Sequence, residues 1–305
     1  MQIISGATQF QLENPSAVAI GKFDGVHRGH KALLERILEA KEEGLQAAVF
    51  TFDPSPAAFF SKKVIRGLTT KEEKRRFFRQ LGVDTLIEFP LNEETAAMSP
   101  ENFIKEILCD RMKAGLVAAG TDLSFGDKGK GDCALLRKYA QRCGYRVEII
   151  DKVYEGGEEI SSTRVRRAVE AGRMEEAACL LGAPYMVMGT VVHGRQIGRR
   201  IGFPTVNLLP PPDKLLPPNG VYLSEAECHK GIFKGLTNVG VRPTVEQGPN
   251  PPAGVETYLY DFSDDIYDSF ITVRLLSFCR PEQKFENLDA LKKQLEIDIE
   301  KGRQR

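Results

Sequence analysis

Two histidines three residues apart carry the first chemistry of this sequence. Only four occur in 305 residues, and His27 and His30 lie within Gly21-Lys22-Phe23-Asp24-Gly25-Val26-His27-Arg28-Gly29-His30. The run follows a short apolar stretch at 17–20. It opens a segment with Leu33, Leu34, Ile37 and Leu38 at helical spacing. A strand that turns through glycines into a helix offers phosphate a close backbone approach, unpaired N–H groups and a partial positive charge. Gly21, Phe23, Asp24, Gly25 and Gly29 make that frame. Two imidazoles in one helical turn point the same way and can donate hydrogen bonds to a phosphate. A second segment, Ile160-Ser161-Ser162-Thr163-Arg164-Val165-Arg166, reads as a helix start with hydroxyl caps and arginines. Cations there oppose the helix dipole, so an anion is expected nearby.

A different chemistry is written at 189–208. Glycines alternate with arginines through Gly194, Arg195, Gly198, Arg199, Arg200 and Gly202, and Phe203-Pro204-Thr205-Val206-Asn207 follows. Such a loop can fold over phosphates. Thr205 and Asn207, two apart on a strand, turn their oxygens to one side. Both are neutral oxygen ligands suited to Mg²⁺. The sequence contains no G-x-x-x-x-G-K-[ST], which argues against a P-loop kinase.

The elements that must position these residues change character along the chain. Apolar runs at 17–20, 46–52, 83–89, 115–120 and 146–150 alternate with helical patterns at 29–43, 69–81 and 99–112. Ser99 caps the last of these and Pro100 fills its first position. This is the pattern of a parallel sheet covered by helices. After Gly182-Ala183-Pro184 come short runs at 186–193, 221–228, 231–239, 257–261 and 271–278. They predict a small antiparallel sheet or barrel. The proline-rich 208–220 segment reads mostly as a surface loop. Leu288, Leu291, Leu295 and Ile299 predict a helix over 285–299. Domains are expected at 1–182 and 183–305.

Lys+Arg and Asp+Glu are both 42, so a general nucleic-acid binder is not expected. Six scattered cysteines without a C-x-x-C pair suggest reduced thiols. No signal peptide and no membrane span is visible. A cytoplasmic monomer or weak homo-oligomer is expected.

Taken together, the motifs resemble the bacterial bifunctional riboflavin kinase/FMN adenylyltransferase (FAD synthetase) family, in its order, from Gly21 to about Arg280. The first segment matches the H-x-G-H motif of nucleotidyltransferases and the 160–166 segment matches I-S-S-T-x-x-R. Gly120-Thr121-Asp122-Leu123-Ser124-Phe125-Gly126 resembles G-x-D-F-x-F-G, and 52–56 resembles F-D-P-H-P. The 189–208 run resembles the riboflavin kinase signature. Thr237-Asn238-Val239-Gly240-Val241-Arg242-Pro243-Thr244 resembles N-I-G-x-R-P-T, and Val255-Glu256-Thr257-Tyr258-Leu259-Tyr260-Asp261-Phe262 resembles V-E-T-H-L-L-D-F, with Tyr258 and Tyr260 departing from it. Ser55, Leu123 and Ser124 depart from the adenylylating pattern, and Asp268 replaces a common Gly after Tyr267.

The resemblance implies a Rossmann-like α/β nucleotidyltransferase domain, then a small antiparallel β-barrel flavokinase domain with a C-terminal helix. It implies catalytic roles for Glu256, as general base, and for His27 and His30. ATP or phosphate contacts fall on Gly21, Phe23, Asp24, Gly25, Gly29, Asp122, Ser161, Ser162, Thr163, Arg166, Gly198, Arg199 and Gly202. Flavin contacts fall on Phe125 and Asn238, and Mg²⁺ entering with ATP falls on Thr205 and Asn207. Riboflavin, FMN and ATP are the expected substrates, FMN and FAD the products. An alternative keeps only the kinase, because the departures fall on the other half. A flavin- or nucleotide-binding regulator is a third reading, and binding alone would not require Glu256.

Overall fold

The computed structural model describes residues 1–194, 198, 201–241 and 253–304. Its contacts divide the chain into two units. One comprises Met1–Ile65 and Lys71–Ser161, the other Arg66–Thr70 and Ser162–Arg305.

Six strands of the first unit form one parallel sheet: β1 (Gln2–Ser5), β2 (Ser16–Ile20), β3 (Gln46–Asp53), β4 (Thr85–Pro90), β5 (Ala114–Gly120) and β6 (Arg146–Ile150). Their order is β1-β4-β3-β2-β5-β6. Every residue of β2 is buried, as expected of a strand covered on both faces. Val18, Ile20, Ala48 and Phe50 face one core with Phe103, Ile104 and Leu136. Ala17, Ala19, Ala47 and Val49 face another with Leu33, Leu34, Ile37 and Phe78. From β2 the chain builds outward through β3 and β4, then crosses to β5 and β6 on the other side. The carboxyl end of β2 is therefore a topological switch point, where open α/β sheets bind ligands.

The helices of this unit are α1 (Arg28–Glu39), α2 (Pro56–Ser61), α3 (Lys71–Leu81), α4 (Glu93–Ala96), α5 (Pro100–Asn102) and α6 (Cys133–Cys143). Ser99 accepts a hydrogen bond from the Asn102 N–H at 3.1 Å, the cap the sequence suggests. The helix body differs from expectation: Phe103–Arg111 is π-wound and buries Phe103, Ile104, Ile107 and Leu108. A hairpin, β7 (Tyr154–Glu155) and β8 (Glu158–Glu159), ends the unit.

In the second unit, α7 (Ser162–Glu170) and α8 (Met174–Leu181) precede β9 (Tyr185–Thr190), β10 (Thr205–Leu208), β11 (Gly220–Cys228), β12 (Gly231–Val241), β13 (Ala253–Leu259), β14 (Phe270–Pro281) and α9 (Leu288–Arg303). The strands form an antiparallel sheet ordered β10-β13-β12-β11-β14-β9. Its edges approach one another: the Val192 N–H, just past β9, donates to the Asn207 carbonyl of β10 at 2.8 Å. Ser224, Thr237 and Thr257 are buried and satisfy each other, with hydroxyl contacts of 2.8 and 2.9 Å. Asn287 caps α9 through the Ala290 N–H at 2.9 Å, and Ile299 packs on Val221, Leu236 and Tyr260. Arg280 grips Asp298 of α9 in a two-pronged ion pair at 2.7 and 3.0 Å.

The proline-rich segment is not simply a surface loop. Lys214 and Leu215 are buried, 3% and 5% exposed. The Lys214 ammonium donates to the carbonyls of Leu68 at 2.7 Å and Met186 at 2.8 Å and sits 4.5 Å from the Tyr185 ring centre. The Tyr185 hydroxyl donates to the Leu68 and Leu215 carbonyls at 2.9 and 2.7 Å. Prolines keep the segment out of the sheet, since they cannot donate to a ladder. The residues between them fill the gap beside it.

Candidate active sites

At the switch point, Gly21 leaves β2 and the chain reaches α1 through a strained turn. Phe23 and Val26 have φ of 49° and 44° although neither is glycine. Such backbone persists only where the surroundings enforce it, and it gathers at ligand sites. Here the enforcement is packing: both side chains are buried, and Phe23 meets Phe78 edge-on at 5.5 Å. Gly21 must be small, because a Cβ there would lie 3.0 Å from the Phe23 ring. His27 is the Ncap residue of α1, and its side chain makes no capping bond. No acid stands in the first turn. This N-terminus is therefore not capped by its own sequence, which suits an incoming anion.

The imidazoles of His27 and His30 stack at 3.8 Å with 20° between planes. Nδ1 of each is buried without a hydrogen-bond partner. A buried unpaired polar atom is costly, and two stacked together suit a polar partner at this turn. Burial lowers the pKa of His27 to about 4, although Asp24, Asp122 and Glu159 oppose the shift. His30 is pushed well below the usual histidine value by burial, then by His27 and Lys74. Both rings are thus neutral near pH 7 and each carries one N–H donor.

Asp24, Asp122 and Glu159 are close enough to act on His27, so the turn, the loop after β5 and the hairpin converge on one sheet edge. Gly29 faces the Ile160 carbonyl; a Cβ there would sit 4.0 Å from it. Ser161 ends this unit, and α7, with Ser162, Thr163 and Arg166, belongs by contacts to the other. Arg166 donates to the Arg66 carbonyl. Phe125 is 3% exposed and packs against Phe103 at 5.2 Å, so it braces its loop rather than offering a free ring face. Ser55 caps α2, accepting from the Ala58 N–H at 3.3 Å.

In the second unit, pairing register assembles the site. Asn207 pairs with Glu256, and Glu256 with Asn238, so the three form a row across β10, β13 and β12. Directly opposed residues share a face of the sheet. Thr205 lies two residues before Asn207 on that face. Asn207 is buried, and its amide donates to the Thr205 carbonyl at 3.3 Å. The Asn238 amide donates to Glu282 at 3.1 Å. The turn leading into β10 depends on Gly198, where a Cβ would lie 2.2 Å from the Phe203 carbonyl oxygen. Gly202 has φ of 91°, a conformation glycine adopts freely. Arg199 lies outside the described residues.

Sequence reasoning missed four features. A cavity of about 270 Å³ opens beside Thr205, walled by Pro204, Val206, Leu259, Phe262 and Tyr267. His193, in the loop after β9, stacks on Tyr267 at 3.8 Å and so stands at this cavity's edge. Asp268, in place of the family's common Gly, takes φ of 59°, which explains why glycine suits that position. Lys74 of α3 is the fourth. It is close enough to act on His30, and its helical spacing from Phe78 was the available signal.

Comparison with known proteins adds the family. A FAD synthetase family model matches residues 9–164 and a riboflavin kinase model matches 181–305. The bifunctional riboflavin kinase/FMN adenylyltransferase of Listeria monocytogenes is 38% identical over 92% of this chain and 89% of its own length. That of Escherichia coli K12 is 37% identical over 92% and 90%. A solved structure described as a macrolide-efflux protein from Streptococcus pneumoniae is 31% identical, with a TM-score of 0.85 over 99% of this chain and 98% of that one. Among the described residues no helix is long and apolar enough to cross a membrane. The two family models in series, and relatives of this identity over nearly the whole chain, show that it belongs to the bifunctional riboflavin kinase/FMN adenylyltransferase family.

Proposed function

We infer that this chain is a bifunctional flavin-cofactor enzyme: it phosphorylates riboflavin to FMN and adenylylates FMN to FAD. Residues 1–182 carry adenylyl transfer and 183–305 the kinase. The sheet order is compatible with a Rossmann-like fold, and the Val192–Asn207 bridge with a closed barrel. The observation that carries the reading is the pair of sites themselves: a stacked, neutral, unpaired histidine pair at a switch point, and the row Asn207–Glu256–Asn238.

In the kinase, Glu256 takes the proton of the riboflavin 5′-hydroxyl as its oxygen bonds to the γ-phosphorus of ATP and ADP leaves. The cavity beside Thr205 offers the nucleotide an apolar wall, and Asn238 stands in the row to contact the flavin. Thr205 and Asn207 present neutral oxygens of the type Mg²⁺ accepts; the ion, bound with ATP, supplies charge neutralisation.

In adenylyl transfer, an FMN phosphate oxygen bonds to the α-phosphorus of ATP while the α–β bridge breaks and pyrophosphate departs. His27 and His30 donate to the phosphates, and the Gly21–Gly29 backbone allows close approach. Ser161 stands at the same edge. Ser162, Thr163 and Arg166 are proposed as phosphate contacts on their motif alone. The enzyme works in the cytoplasm as a monomer or weak homo-oligomer.

The test is a chromatographic time course with riboflavin, ATP and Mg²⁺. FMN should rise first and FAD follow. Glu256→Gln should abolish FMN formation yet still adenylylate supplied FMN, and His30→Ala should do the reverse. FMN accumulating alone, even when supplied directly, would leave a kinase only.

A further inference from the structure

Three cations line the inner side of α3 at helical spacing: Lys71, Lys74 and Arg75. Two are committed. Lys71 pairs with Asp53 at 2.5 Å and with Glu88 at 3.3 Å, and Arg75 grips Glu88 through contacts of 2.9 and 2.5 Å. Glu88 is 4% exposed while Lys71 and Asp53 lie nearer the surface, and two cations on two carboxylates leave the network balanced. Lys74 has no ion pair among the described residues, although it is half-buried. One turn further along, Phe78 packs against Phe23, and Phe23 lies 5.1 Å from His30. Residues four apart share a helix face, so Lys74 is on the face directed at the histidine turn.

We propose that Lys74 is a phosphate-binding residue of the adenylyl-transfer site, supplying the fixed positive charge that the two neutral histidines lack. The proposal rests on the adenylyl-transfer reading above. Its logic is one of charge. Asp24, Asp122 and Glu159 all act on His27, an acidic set that by itself would repel a triphosphate or a flavin phosphate. His27 and His30 offer donors but no net charge. A partly desolvated ammonium that makes no direct ion pair among the described residues corrects that imbalance when a phosphate arrives. Burial lowers the Lys74 pKa against the pull of Asp24, Glu88 and Asp53. Phosphate of either substrate satisfies this chemistry, and kinetics tell them apart.

The experiment compares wild type, Lys74→Met and Lys74→Arg in adenylylation of supplied FMN, varying ATP and FMN separately. Riboflavin phosphorylation by the same preparations and thermal unfolding monitor integrity. Lys74→Met should lose about 10- to 100-fold in kcat/KM, the range for one charge-assisted contact, while phosphorylation is unchanged. Lys74→Arg should recover most of the loss, since it keeps the charge. A raised KM for ATP alone assigns the contact to the triphosphate, and a raised KM for FMN alone assigns it to the flavin phosphate. A fall in kcat alone assigns it to charge developing on pyrophosphate. Methionine at wild-type kcat/KM, or arginine no better than methionine in a folded protein, overturns the proposal. A wild-type chain that makes no FAD overturns the adenylyl-transfer reading and this proposal with it.

Discussion

At the scale of single residues, the stacked histidines hold a cost that protonation exposes. His27 is buried with a pKa near 4, below the usual 6.5. The unfolded chain therefore binds the proton more tightly than the folded one across that interval. Stability from keeping the ring neutral is complete above about pH 6.5 and is lost as pH falls toward 4. The interval corresponds to roughly 3 kcal/mol by linkage. Carboxylates also titrate in this range, so the informative quantity is a difference. His27→Gln keeps a polar side chain but cannot titrate, and its loss of stability between pH 6.5 and 4 should be smaller than wild type's by about that amount. Urea unfolding at the two pH values measures it; parallel losses would mean that His27 is not held neutral by the fold.

At the scale of elements, the buried ammonium of Lys214 turns a proline-rich connector into a structural strap. Lys214→Met would leave the Met186 carbonyl without that donor and the Leu68 carbonyl with the Tyr185 hydroxyl alone. Unsatisfied buried acceptors cost about 1–3 kcal/mol each, partly offset by relief of burying a charge. A net loss of about 2 kcal/mol is expected, read as a lower urea midpoint with unchanged slope. An unchanged midpoint would place the strap at the margin of stability. This strap also shows where sequence reading ran out. The doubly covered strands were legible because β2 and β3 are continuous apolar runs, and the histidine turn because glycines and histidines are adjacent in sequence. The Ser99 cap was legible for the same local reason. The β1 edge strand was not, since Gln2–Ser5 is short and only half-buried. Nor was the row Asn207–Glu256–Asn238, which depends on a register joining residues about fifty apart and leaves no mark on local periodicity. Resemblance supplied Glu256; pairing supplied its neighbours.

At the scale of the molecule, the functional and the contact boundaries do not coincide. The kinase model begins at residue 181, whereas the second contact unit already includes Ser162–Arg305. The intervening α8 buries Met174, Ala177, Leu180 and Leu181, and it packs on β9 and β14. A fully buried Leu or Met is worth about 1.5–3 kcal/mol. A fragment of residues 183–305 forfeits this cover, whereas one of residues 162–305 keeps it. Both retain Thr205, Asn207, Glu256 and Asn238, so both should phosphorylate riboflavin at similar rates per folded molecule. They should differ in stability: the longer fragment should melt higher by about 10 °C or more, since a few kcal/mol moves a unit of this size by that much. Calorimetry of the two fragments settles the matter. Equal melting temperatures would mean that α7 and α8 contribute nothing to the kinase unit, and the functional boundary near residue 182 would then be the physical one as well. A large difference would make these two helices part of the kinase's foundation, although Ser162, Thr163 and Arg166 at their start carry the motif of the other reaction.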